Sequence, residues 1–260
     1  MSNMVVVPGY AYLLVIAAMV ISAVVMIMVG RRKRAREGTY NAEALGFVGG
    51  VLNALFIVVL AFYTVITWTE ADATDGHAEA EASSLIEVYW QVASSPQADR
   101  DQVRALVKEY TSEVVNREWP MLDEKKSDPK ADDLLVALRA EISRLPAETD
   151  RELATKDQAL QNARAVADER RARIEQATGD SSLLTLLFWG TIIGAFVMVA
   201  YPLLIGFSAD LRHVLSIVAL AGILAFTLYF AIELDQPFHG LIKAEPDSFR
   251  TALAEFNRIP

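Results

Sequence analysis

Leu45–Glu81 reads LGFVGGVLNALFIVVLAFYTVITWTEADATDGHAEAE, and its reading decides the fold. Leu45–Trp68 contains no charged residue. At 1.5 Å rise per residue this helix is long enough to cross the ~30 Å hydrocarbon core of a bilayer. Asn53, Tyr63, Thr64 and Thr67 dot it with polar groups, and Gly46, Gly49 and Gly50 crowd its start. Small residues let helices approach closely in lipid, so the span is built for protein neighbours. Beyond Trp68 the chain turns acidic and alanine-rich, with Gly76 as its only helix breaker. Charge therefore gathers at the mouth of a membrane helix.

Three further apolar blocks flank this stretch, giving spans at Tyr10–Val29, Leu45–Trp68, Leu183–Gly206 and Val214–Leu234. The expectation is an all-α polytopic membrane protein with four transmembrane helices. The first block has no basic residue before it and no small-x-small site, so it is expected to be a retained span rather than a cleaved leader. Zero cysteines exclude disulfides, thiolate metal sites and cysteine nucleophiles. Arg31, Arg32, Lys33, Arg34 and Arg36 follow the first span and act as a topology and lipid anchor on the cytoplasmic side. Nucleic acid is not an expected partner of that cluster. The other short loop, Ser208–His213, carries Arg212 and joins it there. Both termini and the long segment after the second span then lie outside. Between Glu70 and Asp180 there are 25 acidic and 15 basic residues, a balance of −10, so the chain's net charge of −9 resides in that segment.

Four parts follow: residues 1–68 with two spans and the basic loop, 69–182 as an acidic extracytoplasmic helical domain, 183–234 with two spans, and 235–260 as an extracytoplasmic tail. The 69–182 domain is helix after helix. Leu85, Ile86, Tyr89 and Val92 share one face of Glu79–Ala93. Val103, Leu106, Val107, Tyr110 and Val114 recur at helical spacing in Arg100–Arg117, expected to stop at Glu118-Trp119-Pro120. After a polar link, Lys125–Lys130, comes Ala131–Leu145, with Leu135, Leu138, Ile142 and Leu145. Glu148–Ala177 places Leu153, Leu160, Ala163, Ala167 and Ile174 near heptad spacing, a seam that Arg170, Arg171 and Arg173 interrupt. Phe249, Leu253 and Phe256 give the tail an apolar face able to dock on this bundle.

Asp72, Asp75 and Glu79 fall at i, i+3 and i+7, on one helical face. Repeated around a symmetric axis, that face becomes a ring of negative charge, which concentrates cations at a channel mouth. Glu70 to Glu81 also spans twelve residues, the length of an EF-hand loop. A divalent cation there is a poor match, because the glycine stands seventh rather than sixth and the alanines favour helix. The plain alternative is a solvated face. Glu70, Asp72, Asp75, Glu79, Glu233 and Asp235 are the candidate acidic vestibule, and Asn53, Ile57, Thr64 and Thr67 the candidate pore lining. Asn53 could equally pair across helices, and Glu233 could simply end a span among headgroups. His77, His213 and His239 are far apart, and no nucleophile elbow, phosphate loop or glycine fingerprint occurs, so neither cofactor, metal centre nor enzyme is expected.

Four short motifs occur in order: Glu79-Ala-Glu81-Ala-Ser-Ser-Leu85, Glu118-Trp119-Pro120, Arg170-Arg171-x-Arg173, and Leu234-Asp235-Gln-Pro237-Phe238-His-Gly240. Set among four spans, they resemble the bacterial bestrophin-like membrane family over nearly the whole chain. The resemblance implies an oligomeric channel with its pore along the second span, and for bestrophins themselves the conducted ion is an anion. Phe56, Phe62 and Tyr63 are the span's only candidates for a bestrophin-type aromatic neck. The residues point the other way on charge. No Lys or Arg occurs between Arg36 and Arg100, and the acidic run lies in between. The expected function is a homo-oligomeric, cation-preferring ion channel of the bacterial plasma membrane, in contact with lipid and inorganic ions. A non-conducting sensor or scaffold with a partner-binding outer domain is the alternative, and a bestrophin-like anion channel a further one.

Overall fold

A computed structural model describes residues 42–179, 181–205, 211–234, 238 and 244–259, together with the helical residues 17, 20, 21, 24 and 28. The basic cluster Arg31, Arg32, Lys33, Arg34 and Arg36, as well as Asp235, lies outside the described residues. Helix is the only regular structure among those described. The helices are α1 (Ala42–Gln91), α2 (Gln97–Glu113), α3 (Trp119–Asp123), α4 (Pro129–Arg144), α5 (Asp150–Thr178), α6 (Ser182–Ile205), α7 (Leu211–Leu234) and α8 (Asp247–Phe256). Three stretches among the described residues are long and apolar enough to cross a membrane, lying within Gly46–Ser94, Asp150–Tyr201 and Val214–Leu234. The chain divides into two compact units, Met1–Thr69 with Asp180–Asp235 and Glu70–Gly179 with Gln236–Pro260.

The first unit holds the start of α1, α6 and α7. Gly194 of α6 faces Phe56 of α1 so closely that a Cβ there would stand 2.6 Å from the ring, and Gly190 faces Val59. Reciprocally, a Cβ on Gly49 would stand 2.5 Å from the Tyr201 ring. At Gly194 and Gly49 the missing Cβ lets a bulky ring lie against bare backbone, the usual way to gain packing where lipid supplies no hydrophobic drive. Tyr63 is fully buried, edge-on to Phe188 at 6.3 Å. Buried Thr67 and Thr191 turn their hydroxyls back to their own helices, onto Tyr63 O (2.9 Å) and Leu187 O (2.7 Å). Large apolar side chains face outward instead, among them Leu55, Phe62, Phe196, Ile223 and Phe226. Such continuous apolar exposure is tolerated against lipid or another protein surface, not against water.

The second unit is a helical bundle around Leu85, Val88, Val103, Val107, Tyr110, Leu138, Ile142, Ala163 and Val166. α4 lies between α2 and α5. Local signals set its helix starts. Asp128 accepts from Lys130 N at 3.0 Å ahead of Pro129, so the link expected over Lys125–Lys130 ends as a helix cap. Thr149 and Glu152 form a reciprocal capping box that starts α5. Phe249 and Phe256 of α8 are buried in the bundle core, as the apolar face of the tail implied.

Two expectations are corrected here. The helix of Val103–Val114 does not stop at Glu118-Trp119-Pro120. It widens into a π turn over Val114–Glu118 and continues as α3. Proline has no N–H to give and crowds the carbonyl four residues back, so it is accommodated where a helical turn begins afresh. The arginines of α5 do not interrupt its seam either. The buried positions are Ala159, Ala163, Val166, Arg170, Arg173 and Ala177, and only Arg171 of the three arginines points to solvent. Leu153, expected on the seam, is exposed. Partnered charge has displaced aliphatic side chains from the core.

Candidate functional site

Along the apolar half of α1, Asn53 and Ile57 are exposed in the single chain. Thr64 is half-buried, its hydroxyl donating to Leu60 O at 2.9 Å. At about 100° per residue, Asn53, Ile57 and Thr64 fall within roughly 40° of one another. Thr67 turns away from that stripe into the packed side of the helix, where its hydroxyl also reaches Thr64 O at 3.1 Å.

The acidic run is helical throughout, so the looped ligand geometry of an EF-hand is not formed. It has two faces. Glu70, Asp72, Asp75 and Glu79 are exposed, whereas Thr74, Ala78, Glu81 and Ala82 are buried. Thr74 Oγ1 lies 3.0 Å from both Glu70 O and Gln176 Oε1, and His77 Nδ1 lies 2.6 Å from Glu169 Oε2, both tying α1 to α5. Partial burial, together with the charges of Asp72 and Asp247, raises the Asp75 carboxyl above its ordinary range. Asp247, the first residue of α8, thus joins the acidic face, a neighbour that sequence separation concealed. Glu233 is buried in the last turn of α7. Among the described residues, no group of three or more His, Asp or Glu side chains could hold a metal ion.

Behind the acidic face lies a cluster of buried charge. Arg173, Glu81 and Glu118 are each 0% exposed. Arg173 donates through Nε to Glu81 (3.0 Å) and through Nη2 to Glu81 (3.3 Å) and Glu118 (3.0 Å). Arg170 donates to Glu118 at 2.6 Å, to the Asp128 carbonyl at 3.1 Å, and to Asp132, whose side chain is 62% exposed. The Tyr110 hydroxyl donates to Glu81 Oε1 at 2.6 Å, and burial with the adjacent Glu81 charge pushes that phenol well above its usual range. Burial works against the charge on Arg173, but Glu81 and Glu118 outweigh it and hold the guanidinium above its ordinary value. The same guanidinium lies over the rings of Trp119 (5.1 Å) and Phe249 (5.5 Å). Trp119 in turn stands edge-on to Phe238 at 5.4 Å and donates Nε1–H to Ala244 O at 3.0 Å.

Four motifs far apart in sequence, carried by Glu81, Glu118, Arg170 with Arg173, and Phe238, therefore meet in one assembly. A profile of the bestrophin-like domain matches residues 12–249. The chain belongs to the bestrophin-like family. Its fold is also that of solved bestrophin homologues. One structure of a bacterial bestrophin homolog from Klebsiella pneumoniae, phased with zinc, aligns with a TM-score of 0.71 at 11% identity, covering 94% of this chain and 97% of that one. A single-substitution variant of the Klebsiella pneumoniae homolog aligns with a TM-score of 0.70 at 12% identity, covering 94% and 98%. At such identities the likeness is one of fold. No curated protein matches by sequence.

Proposed function

We propose that this bestrophin-like chain is the subunit of a homo-oligomeric ion channel in the bacterial plasma membrane, with its pore along the second span and a cation-preferring acidic outer mouth. The observation that carries the reading is α1 itself: one unbroken helix carries a polar-dotted stripe, the exposed Asn53 and Ile57 with the half-buried Thr64, and an exposed acidic face, Asp72, Asp75 and Glu79. Family membership supports a channel rather than an enzyme, and symmetric assembly would turn that face into a ring. Glu70, Glu233 and Asp235 complete the acidic vestibule in this reading.

The topology that goes with it has four spans, both termini outside, and the Arg31–Arg36 cluster on the cytoplasmic side. Labelling of Lys126→Cys in intact cells by a membrane-impermeant maleimide is the expected outcome, since the chain has no other cysteine. Protection of that site until cells are opened would invert the topology. Reconstitution into planar bilayers tests conduction: discrete cation-selective openings support the reading, chloride-selective ones favour a bestrophin-like anion channel, and a silent membrane favours a scaffold.

A further inference from the structure

We propose that a cleft in the helical bundle, between the end of α1 at Gln91 and the start of α5, binds a small zwitterion of the free amino acid kind. One wall is Gln91 with the turn that follows it, residues 94–96, and the other holds Glu148, Glu152 and Lys156. The cleft encloses about 170 Å³. A single buried water needs only ~10–15 Å³ of such space. A molecule of several heavy atoms therefore fits.

Two groups in the cleft lack the partners such groups ordinarily find. Lys156 Nζ donates to the Leu145 carbonyl at 2.8 Å, a bond that uses one of its three ammonium hydrogens. It pairs with no carboxylate among the described residues, although the segment around it is acidic overall. Glu152, one turn before it, is engaged elsewhere: its Oε2 accepts from Glu148 N (2.9 Å) and Thr149 N (3.0 Å). Those bonds hold the Glu152 carboxyl below its ordinary range, so it stays ionised. The second group is the Gln91 amide, whose buried Oε1 has no hydrogen-bond donor. A buried acceptor left unpaired is costly until a donor is supplied, and rotation of the amide offers either of its ends to the cleft.

The charges on the walls select the class of ligand. A plain anion would find Lys156 but also meet Glu148 and Glu152. A plain cation would find the glutamates but meet Lys156. A zwitterion sets its carboxylate on Lys156 and its ammonium towards the glutamates and the Gln91 oxygen, so each charge gains a counter-charge. The site operates whether or not the chain conducts.

The test uses the purified full-length chain in detergent. A mixture of the common amino acids is offered, and saturation-transfer NMR reads which of them bind. At least one should bind saturably, while acetate and methylammonium, each carrying only one of the two charges, should bind at least tenfold more weakly. Lys156→Met and, separately, Gln91→Leu should keep the helical circular-dichroism signal and weaken the bound amino acid by roughly tenfold or more, the scale of one lost charge-assisted hydrogen bond. Both variants are made, so that if one fails to fold the other still decides. Absence of saturable binding by any amino acid would overturn the proposal, leaving a cleft that holds water only. Equal binding of acetate or methylammonium would overturn it too, as would undiminished affinity in the folded variants.

Discussion

Arg173 is the residue on which the second unit's packing converges, since its guanidinium touches α1, the π turn and α8 at once. Removing one partner of a buried ion pair leaves the other charge uncompensated, a cost of about 3–5 kcal/mol. Arg173→Met alone should therefore lower the melting temperature sharply. Arg171→Ala, two positions away and solvent-facing, should stay within ~0.5 kcal/mol of the parent. Equal effects of the two would deny the cluster its special standing. Asp75 gives a pH-dependent case. Its folded carboxyl is raised by partial burial and by Asp72 and Asp247. A raised carboxyl favours the fold when protonated, and that contribution is lost as pH rises through the folded value. Asp75→Asn should thus melt above the native chain at pH 7, with the difference shrinking as acid protonates Asp75. A gap that widens on acidification would reverse the assignment.

Elements show what was legible in the sequence and what was not. Hydropathy located the apolar helices, and 3–4 spacing located α2, α4 and α5, because both signals depend on which side of a helix must avoid water. The π turn at Val114–Glu118 was invisible, since proline at 120 reads as a stop unless the preceding turn widens. In the sequence Arg170 and Arg173 read as interruptions, because a charge reads as surface until its partner is found 52 to 92 residues away. Their spacing with Ala159, Ala163, Val166 and Ala177 was nevertheless a seam signal. In the candidate site, the exposed acidic face followed from helical spacing, whereas Asp247 had no local cue. The glycines Gly190 and Gly194 of α6 carried no signal beyond their size. Gly194→Val should force the Phe56 ring aside and cost about 1–3 kcal/mol as overpacking. Adding Phe56→Ala should recover part of that loss in a thermal double-mutant cycle, and strict additivity would show that the two do not meet.

At the scale of the whole molecule the proposed channel is defined by the charge of its proposed outer mouth. Unit charges about 4 Å apart interact by ~1 kcal/mol in bulk water and by several-fold more at reduced dielectric, so a ring of aspartates and glutamates depletes anions wherever salt does not screen it. Family kinship with bestrophins points to anions, and the exposed Asp72, Asp75 and Glu79 point to cations, which makes selectivity the property that separates them. The most direct measurement is the reversal potential of the reconstituted protein under a potassium chloride gradient, with and without Asp72→Asn, Asp75→Asn and Glu79→Gln together. The native protein is predicted to reverse toward the potassium equilibrium potential, and the triple variant to move measurably toward zero. Reversal at the chloride potential, unchanged in the triple variant, would contradict the account.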